Sequence, residues 1–330
     1  MRAATKPFLC FVALLVGVEL VVRVFFARGM SGRFDYGYHP TAGFVEQADG
    51  TVRLERAGGR RFFPQHFARE RPADTFRIFV IGDSVARGTS VASSYAGQLG
   101  EMLRLRGVKA ESYNLALPGF GARRKRLVLE QALNYQPSLV ILHINGSNEF
   151  EDEREWRRRE EFRGWHPRNW LMKSLVIRRL YEMKTERVYW EWLPASVRSQ
   201  RTVSDADAEV QASINPEKNR RWDELLRQQT AVSVRLAREQ GVKVLLVAQA
   251  GVGKSPKGTP CLDDNALDAL ATELRGPSVA TLSMKETLAR HDWAPLYADG
   301  AHLRPTGHRL LAEALVLQLV EAGFIPAVVK

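Results

Sequence analysis

A serine at a strand end and an acid–histidine pair near the C-terminus are the residues of this chain best suited to chemistry. Ser84 lies in the stretch Phe76–Gly88, FRIFVIGDSVARG, directly after a continuous apolar run that reads as a buried strand. Gly82 and Gly88 permit tight backbone geometry around it. Alone, such a serine reads more simply as a helix cap or turn residue, because serine is a favoured cap. Asp299 and His302 change that reading. They stand three residues apart in YADGAHLRPTGHRLLAEAL, just ahead of a helix expected to start near Pro305. One tight loop can then hold the carboxylate against one imidazole nitrogen and leave the other to take a proton. His308 is a rival base. It falls inside the expected helix with no acid three residues before it, and reads as a surface or packing histidine.

A serine nucleophile also needs hydrogen-bond donors for a developing oxyanion. The segment 113–121, YNLALPGFG, offers the backbone N–H of Gly119, and 144–150, INGSNEF, offers the side-chain amide of Asn148. The N–H of Ser84 makes a third. Gly-Asp-Ser, Asn-x-x-x-x-Gly, Gly-x-Asn and Asp-x-x-His thus occur in order, each after an expected strand or just before the last helix.

The elements that must position these residues alternate. Strands are expected at 76–82, near 111–114, at 138–144, at 242–248 and near 279–282. Helices are expected around 93–106, 122–135, 217–240 and 305–322. Apolar strands alternating with helices predict a mostly parallel sheet covered on both faces, with sites at the carboxyl ends of its strands. Residues 151–203 interrupt the pattern with a charged, helical insertion holding Trp156, Trp165, Trp170, Trp190 and Trp192. That composition suits a membrane interface, a lid, a sugar-binding surface or an ordinary helical insertion. Residues 248–255, AQAGVGKS, nearly match a phosphate-binding loop. Ala248 replaces the first glycine, and Pro256 and Pro260 stand where a helix must begin, so a loop at the site rim is expected instead.

The ends and the composition bound the rest. Residues 8–26 form an apolar stretch behind Arg2 and Lys6, interrupted by Glu19 and Arg23, which lie four apart on one helical face. Residues 1–30 read as an uncleaved signal-anchor, with a cleaved signal peptide as the alternative. Residues 31–75 read as a linker with a small hairpin turning at Asp49-Gly50 and Gly58-Gly59, and 76–325 as the main domain. The formal net charge is +11, yet no zinc-finger spacing, RNP-like motif or long basic block accompanies it, so nucleic acid is not an expected partner. Cys10 and Cys261 are not expected to pair.

Taken together, GDSVARG, NLALPG, GSNE and DGAHLRPTGH resemble the motif blocks of the SGNH, or GDSL-type, hydrolase superfamily, over most of residues 76–322. The stretch RPADTFRIFVIGDS behind an apolar N-terminus resembles its membrane-anchored bacterial members. The resemblance implies an α/β fold related to flavodoxin, a three-layer α/β/α sandwich. It implies Ser84 as nucleophile, His302 as base, Asp299 as its orienter, and Ser84, Gly119 and Asn148 as the oxyanion hole, with no cofactor and no metal. The implied activity is that of a serine esterase on an ester-bearing small molecule, glycan or lipid of the cell envelope. An O-acyltransferase with the same triad and a non-catalytic envelope-binding module are the alternatives. The implied location is a bacterial inner membrane, with the catalytic domain on its outer face. Glu149 departs from the aspartate common at that position.

Overall fold

The runs at 76–81, 139–144 and 243–248 are buried along almost their whole length, so they need cover on both faces, and they have it. The computed structural model describes residues 5–26, 38, 41–57, 60–146, 148–161, 165, 167–186, 216–255, 257–263 and 266–326. A long apolar helix, α1 (Thr5–Phe26), comes first. Short strands follow: β1 (Phe44–Glu46), β2 (Thr51–Leu54), β3 (Arg56–Ala57), β4 (Arg60–Arg61) and β5 (His66–Ala68). The main sheet then begins with β6 (Phe76–Ile81), followed by α2 (Ser84–Arg87), α3 (Tyr95–Leu105), β7 (Ala110–Asn114), α4 (Ala122–Leu133) and β8 (Leu139–Ile144). Three helices come next: α5 (Glu149–Glu161), α6 (Pro167–Leu171) and α7 (Leu175–Glu186). The chain resumes with α8 (Pro216–Glu239), β9 (Lys243–Ala248), β10 (Gly251–Lys254), β11 (Pro260–Asp263) and α9 (Leu267–Glu273). It finishes with β12 (Val279–Ser283), α10 (Met284–Leu288) and α11 (Pro305–Glu321).

The main sheet is parallel throughout, in the order β12-β9-β8-β6-β7. Successive side chains of a strand point to opposite faces, and the two cores follow that alternation. Phe79, Ile81, Val140, Leu142, Val244 and Leu246 face α4, α8 and α9. Ile78, Val80, Leu139, Ile141, Leu245 and Val247 face α3 and α11. The result is the expected three-layer sandwich. Counted in chain order, the sheet strands lie 2-1-3-4-5 in space, the doubly wound order of flavodoxin. Its switch point falls beside β6, between β7 and β8. Ser84, Gly119 and Asn148 follow β6, β7 and β8 respectively, so all three stand at the carboxyl edge around that point.

Residues 41–68 do more than form the single expected hairpin. β1, β2 and β5 make a three-stranded antiparallel sheet, and β3 and β4 make a second hairpin. Phe44, Phe62 and Phe67 join the same core as Phe79, with Phe67 5.3 Å from Phe79 between ring centroids. Three phenylalanines in one short segment are what cover this end of the sheet. The described residues of the insertion lie largely in α5, α6 and α7, the first of which starts at Glu149; Trp190 and Trp192 lie outside the described residues. Leu246 is fully buried at the centre of β9. Leu246→Ala is expected to destabilise the domain by about 2–5 kcal/mol, read as a lowered denaturant midpoint.

Candidate active site

Ser84 is the first residue of α2, where amide N–H groups have no intrahelical acceptor. Asp83 caps that turn by accepting from the Val85 N–H at 2.9 Å. Gly82 is required by close approach: a Cβ there would meet the Ala86 Cβ at 2.4 Å and the His143 Cβ at 2.9 Å. The tight turn presents the Ser84 hydroxyl to the loop before α11. The Ser84 Oγ lies 2.9 Å from the His302 Nε2.

That loop is built around Asp299. Its Oδ1 accepts from the backbone N–H of Ala301 at 2.8 Å and of His302 at 2.7 Å, an Asx-type turn that fixes the three-residue spacing. Its Oδ2 lies 2.8 Å from the His302 Nδ1. Burial works to raise the Asp299 carboxyl, but the hydrogen bonds from the His302 side chain and from both amides outweigh it and hold it at about 2. An ionised carboxylate only accepts, so Nδ1 carries the proton and Nε2 presents its lone pair to Ser84. The segment that mimicked a phosphate loop is the β10–β11 hairpin, not a bare loop. It supports this turn, with the Val252 N–H donating to the Gly300 carbonyl at 2.7 Å. The Tyr297 hydroxyl adds a bond to the Ala250 carbonyl at 2.7 Å.

His308 is buried, not at the surface. Its Nδ1 accepts from the Tyr95 N–H at 3.3 Å, so it packs α11 against α3. Burial first, then His143 and His302, push its imidazole down to about 4.

The Gly119 and Asn148 loops are joined through the start of α4. No side chain of its own cap residue, Gly121, serves that helix end. Acids from α5 serve it instead. The Ala122 N–H donates to Glu149 Oε1 at 2.7 Å, and those of Arg123 and Arg124 donate to Asp152 Oδ2 at 3.0 and 3.2 Å. Arg124 closes the junction, pairing with Asp152 and donating to the Gly119 carbonyl. Gly119 itself has φ +72°, a left-handed backbone conformation that strains other residues, and a Cβ there would also displace the Glu151 carboxyl. The Asn148 Nδ2 is buried and has no hydrogen-bond partner among the described residues. An unpartnered buried donor costs about 1–3 kcal/mol, and it is free to bind an incoming oxygen.

One lysine then ties the nucleophile to this junction. Lys125 on α4 lies 2.9 Å from Asp83 Oδ2 and donates to the His143 carbonyl at 3.1 Å. Burial alone would raise Asp83; Lys125 beside it, then His143, hold it at about 2. Sequence reasoning missed Lys125. The signal was present, because Val128, Leu129 and Ala132 stand three, four and seven residues after it, which puts Lys125 on the buried face. Among the described residues, no cluster of three or more His, Cys, Asp or Glu could hold a metal ion.

Lys125→Met strands the Asp83 charge in the core and is expected to cost about 3–5 kcal/mol, with Asp83→Asn recovering part of the loss in a double-mutant cycle read by urea unfolding. Glu149 gives a pH prediction. Burial first, then Asp152, push its carboxyl from 4.5 up to about 8. The folded chain therefore holds this proton longer than the unfolded chain, and its stability falls as pH rises through that window. Glu149→Gln is expected to remove the slope, melting higher than wild type at pH 8 but not at pH 4.5.

No protein-family model matches the chain, and no curated protein sequence matches it. Solved structures do. An acetyl xylan esterase, AlAXEase, is 16% identical over 73% of this chain and 98% of that one, with a TM-score of 0.42. A lipase/acylhydrolase from Enterococcus faecalis is 14% identical over 75% and 95%, with a TM-score of 0.42. A GDSL-like lipase from Bacteroides thetaiotaomicron is 13% identical over 75% and 89%, with a TM-score of 0.41. The chain is similar to each of these at identities too low to carry residue roles across.

Proposed function

We propose that the protein is an SGNH (GDSL-type) serine hydrolase that cleaves ester-linked acyl groups, with Ser84 as nucleophile, His302 as general base and Asp299 as its orienter. The observation that carries this reading is the continuous chain from Ser84 Oγ through His302 to Asp299, at 2.9 and 2.8 Å. The unpartnered Asn148 amide supports it, as does the order of the four motif blocks.

In this reading the Ser84 oxygen attacks the ester carbonyl carbon while its proton passes to His302 Nε2. The carbonyl electron pair moves onto its oxygen, which the Ser84 N–H, the Gly119 N–H and the Asn148 Nδ2 bind. Collapse expels the alcohol, which takes the proton from Nε2. Water then adds to the acyl-serine, its proton passes to Nε2 and on to Ser84, and the acid leaves. Asp299 stays ionised throughout and stabilises the imidazolium. The His302 side chain is 39% exposed, so water reaches the base directly. That favours hydrolysis over transfer to an alcohol, the second reading.

Helix α1 anchors the domain. Lys6–Phe25 has a mean hydropathy of 2.5 and none of it is buried against the protein, which suits a single span. The substrates that fit this setting are O-acylated glycans or lipids of the envelope.

With p-nitrophenyl acetate and butyrate, Ser84→Ala is expected to abolish turnover. Asn148→Ala is expected to lower kcat by about 10²–10³ with the thermal midpoint nearly unchanged. Ser84→Ala retaining wild-type turnover would refute the assignment. Added alcohol acceptors that divert most of the acyl group would establish the transferase instead.

A further inference from the structure

An apolar helix carries two charges, and the structure supplies partners for both. Glu19 Oε1 accepts from the Leu175 N–H at 2.8 Å and pairs with Arg23 at 2.8 Å. Glu19 Oε2 accepts from the Ser174 hydroxyl at 2.7 Å and the Val176 N–H at 3.1 Å. Arg23 also donates to the Lys173 carbonyl at 3.1 Å. A carboxylate inside a membrane helix is expensive unless it is paired, and this one caps the first turn of α7. Glu19 stands seven residues before Phe26, or about 10 Å along the axis from the outer end of α1. The start of α7 is therefore docked below that end.

Large apolar residues of the same stretch of chain are uncovered. Trp165, Trp170, Leu171 and Leu180 are 91%, 67%, 43% and 59% exposed. Trp156, earlier in the same insertion, behaves differently: it packs against Tyr38 at 5.1 Å and under Arg123, and is a structural residue. Two exposed tryptophans and two leucines on a segment tied to a membrane helix match the composition of a bilayer interface.

We propose that α6 and the first turns of α7 are seated at the boundary between lipid headgroups and acyl chains beside α1, with Trp165, Trp170, Leu171 and Leu180 facing lipid. This rests on the reading of α1 as a membrane helix. The occupant is the bilayer, because the start of α7 is bonded to α1 at Glu19 and Arg23, within the segment apolar enough to span a membrane. Lys173, exposed between the two helices, can reach headgroup phosphates while its stem lies along apolar surface. The contact gives the domain two attachments to the membrane, and so a fixed orientation.

The test uses the full chain with Cys10→Ser and Cys261→Ser, in phosphatidylcholine vesicles containing phosphatidylglycerol. Single nitroxide labels are placed at Leu14→Cys, Leu171→Cys, Leu180→Cys and Leu105→Cys, and collisions with oxygen are compared with those of a water-soluble nickel chelate. Leu14 reports the span, and Leu105, 81% exposed at the end of α3, reports water. Labels at 171 and 180 are expected to favour oxygen, as at 14, and to shift toward the nickel chelate when Glu19→Gln is added. Labels at 171 and 180 reading like 105 while 14 reads lipid would overturn the proposal and leave the anchor standing. A water reading at 14 as well would remove the anchor and the proposal together. Labels at 171 and 180 that favour oxygen regardless of Glu19→Gln would overturn the docking role given to Glu19.

Discussion

The amide groups at the start of α4 must find acceptors, and the acceptors they find set the geometry of the site. Ala122, Arg123 and Arg124 have no cap from their own loop and take carboxyl oxygens of Glu149 and Asp152 from α5. That pairing holds the turn carrying Gly119 against the turn carrying Asn148. Asp152, paired with Arg124, also places a negative group at this helix N-terminus, which is electrostatically favourable. One turn further on, Lys125 reaches Asp83 and the end of β8. Three strand ends are thereby tied to one helix, and the three oxyanion donors of the proposed mechanism come from those three ends.

The buried ion pair beneath Ser84 has a cost as well as a use. Taking an ammonium and a carboxylate out of water costs several kcal/mol per ion, and a well-packed apolar pair of the same size is often as stable. What the charged pair adds is a fixed direction. Asp83 accepts from Val85 with one oxygen and from Lys125 with the other, so the turn that carries Ser84 has little freedom left. The Asp299 turn achieves the same on the other side, with one oxygen spent on backbone amides and the other facing the imidazole.

Much of this was legible in the sequence, for identifiable reasons. Strands buried on both faces are continuous apolar runs, so β6, β8 and β9 stood out by composition alone. Asp299 and His302 were visible because a short-range turn brings them together, and short-range geometry is written in spacing. The acid caps on α4 were not visible, because Glu149 and Asp152 meet Ala122–Arg124 only through the sheet's crossover. Nor was the role of residues 41–68, where Phe44, Phe62 and Phe67 look like linker composition until the sheet end they cover is known. His308 shows the same limit: its helical position was clear, but its burial depends on Tyr95, more than two hundred residues away.

The most direct measurement is to react the folded full-length protein with a fluorophosphonate and map the adduct by mass spectrometry. The account predicts one phosphonyl group, on the tryptic peptide Ile78–Arg87 at Ser84, with labelling lost in His302→Ala. An adduct on another residue, or ester turnover that persists in protein fully labelled at Ser84, would contradict it.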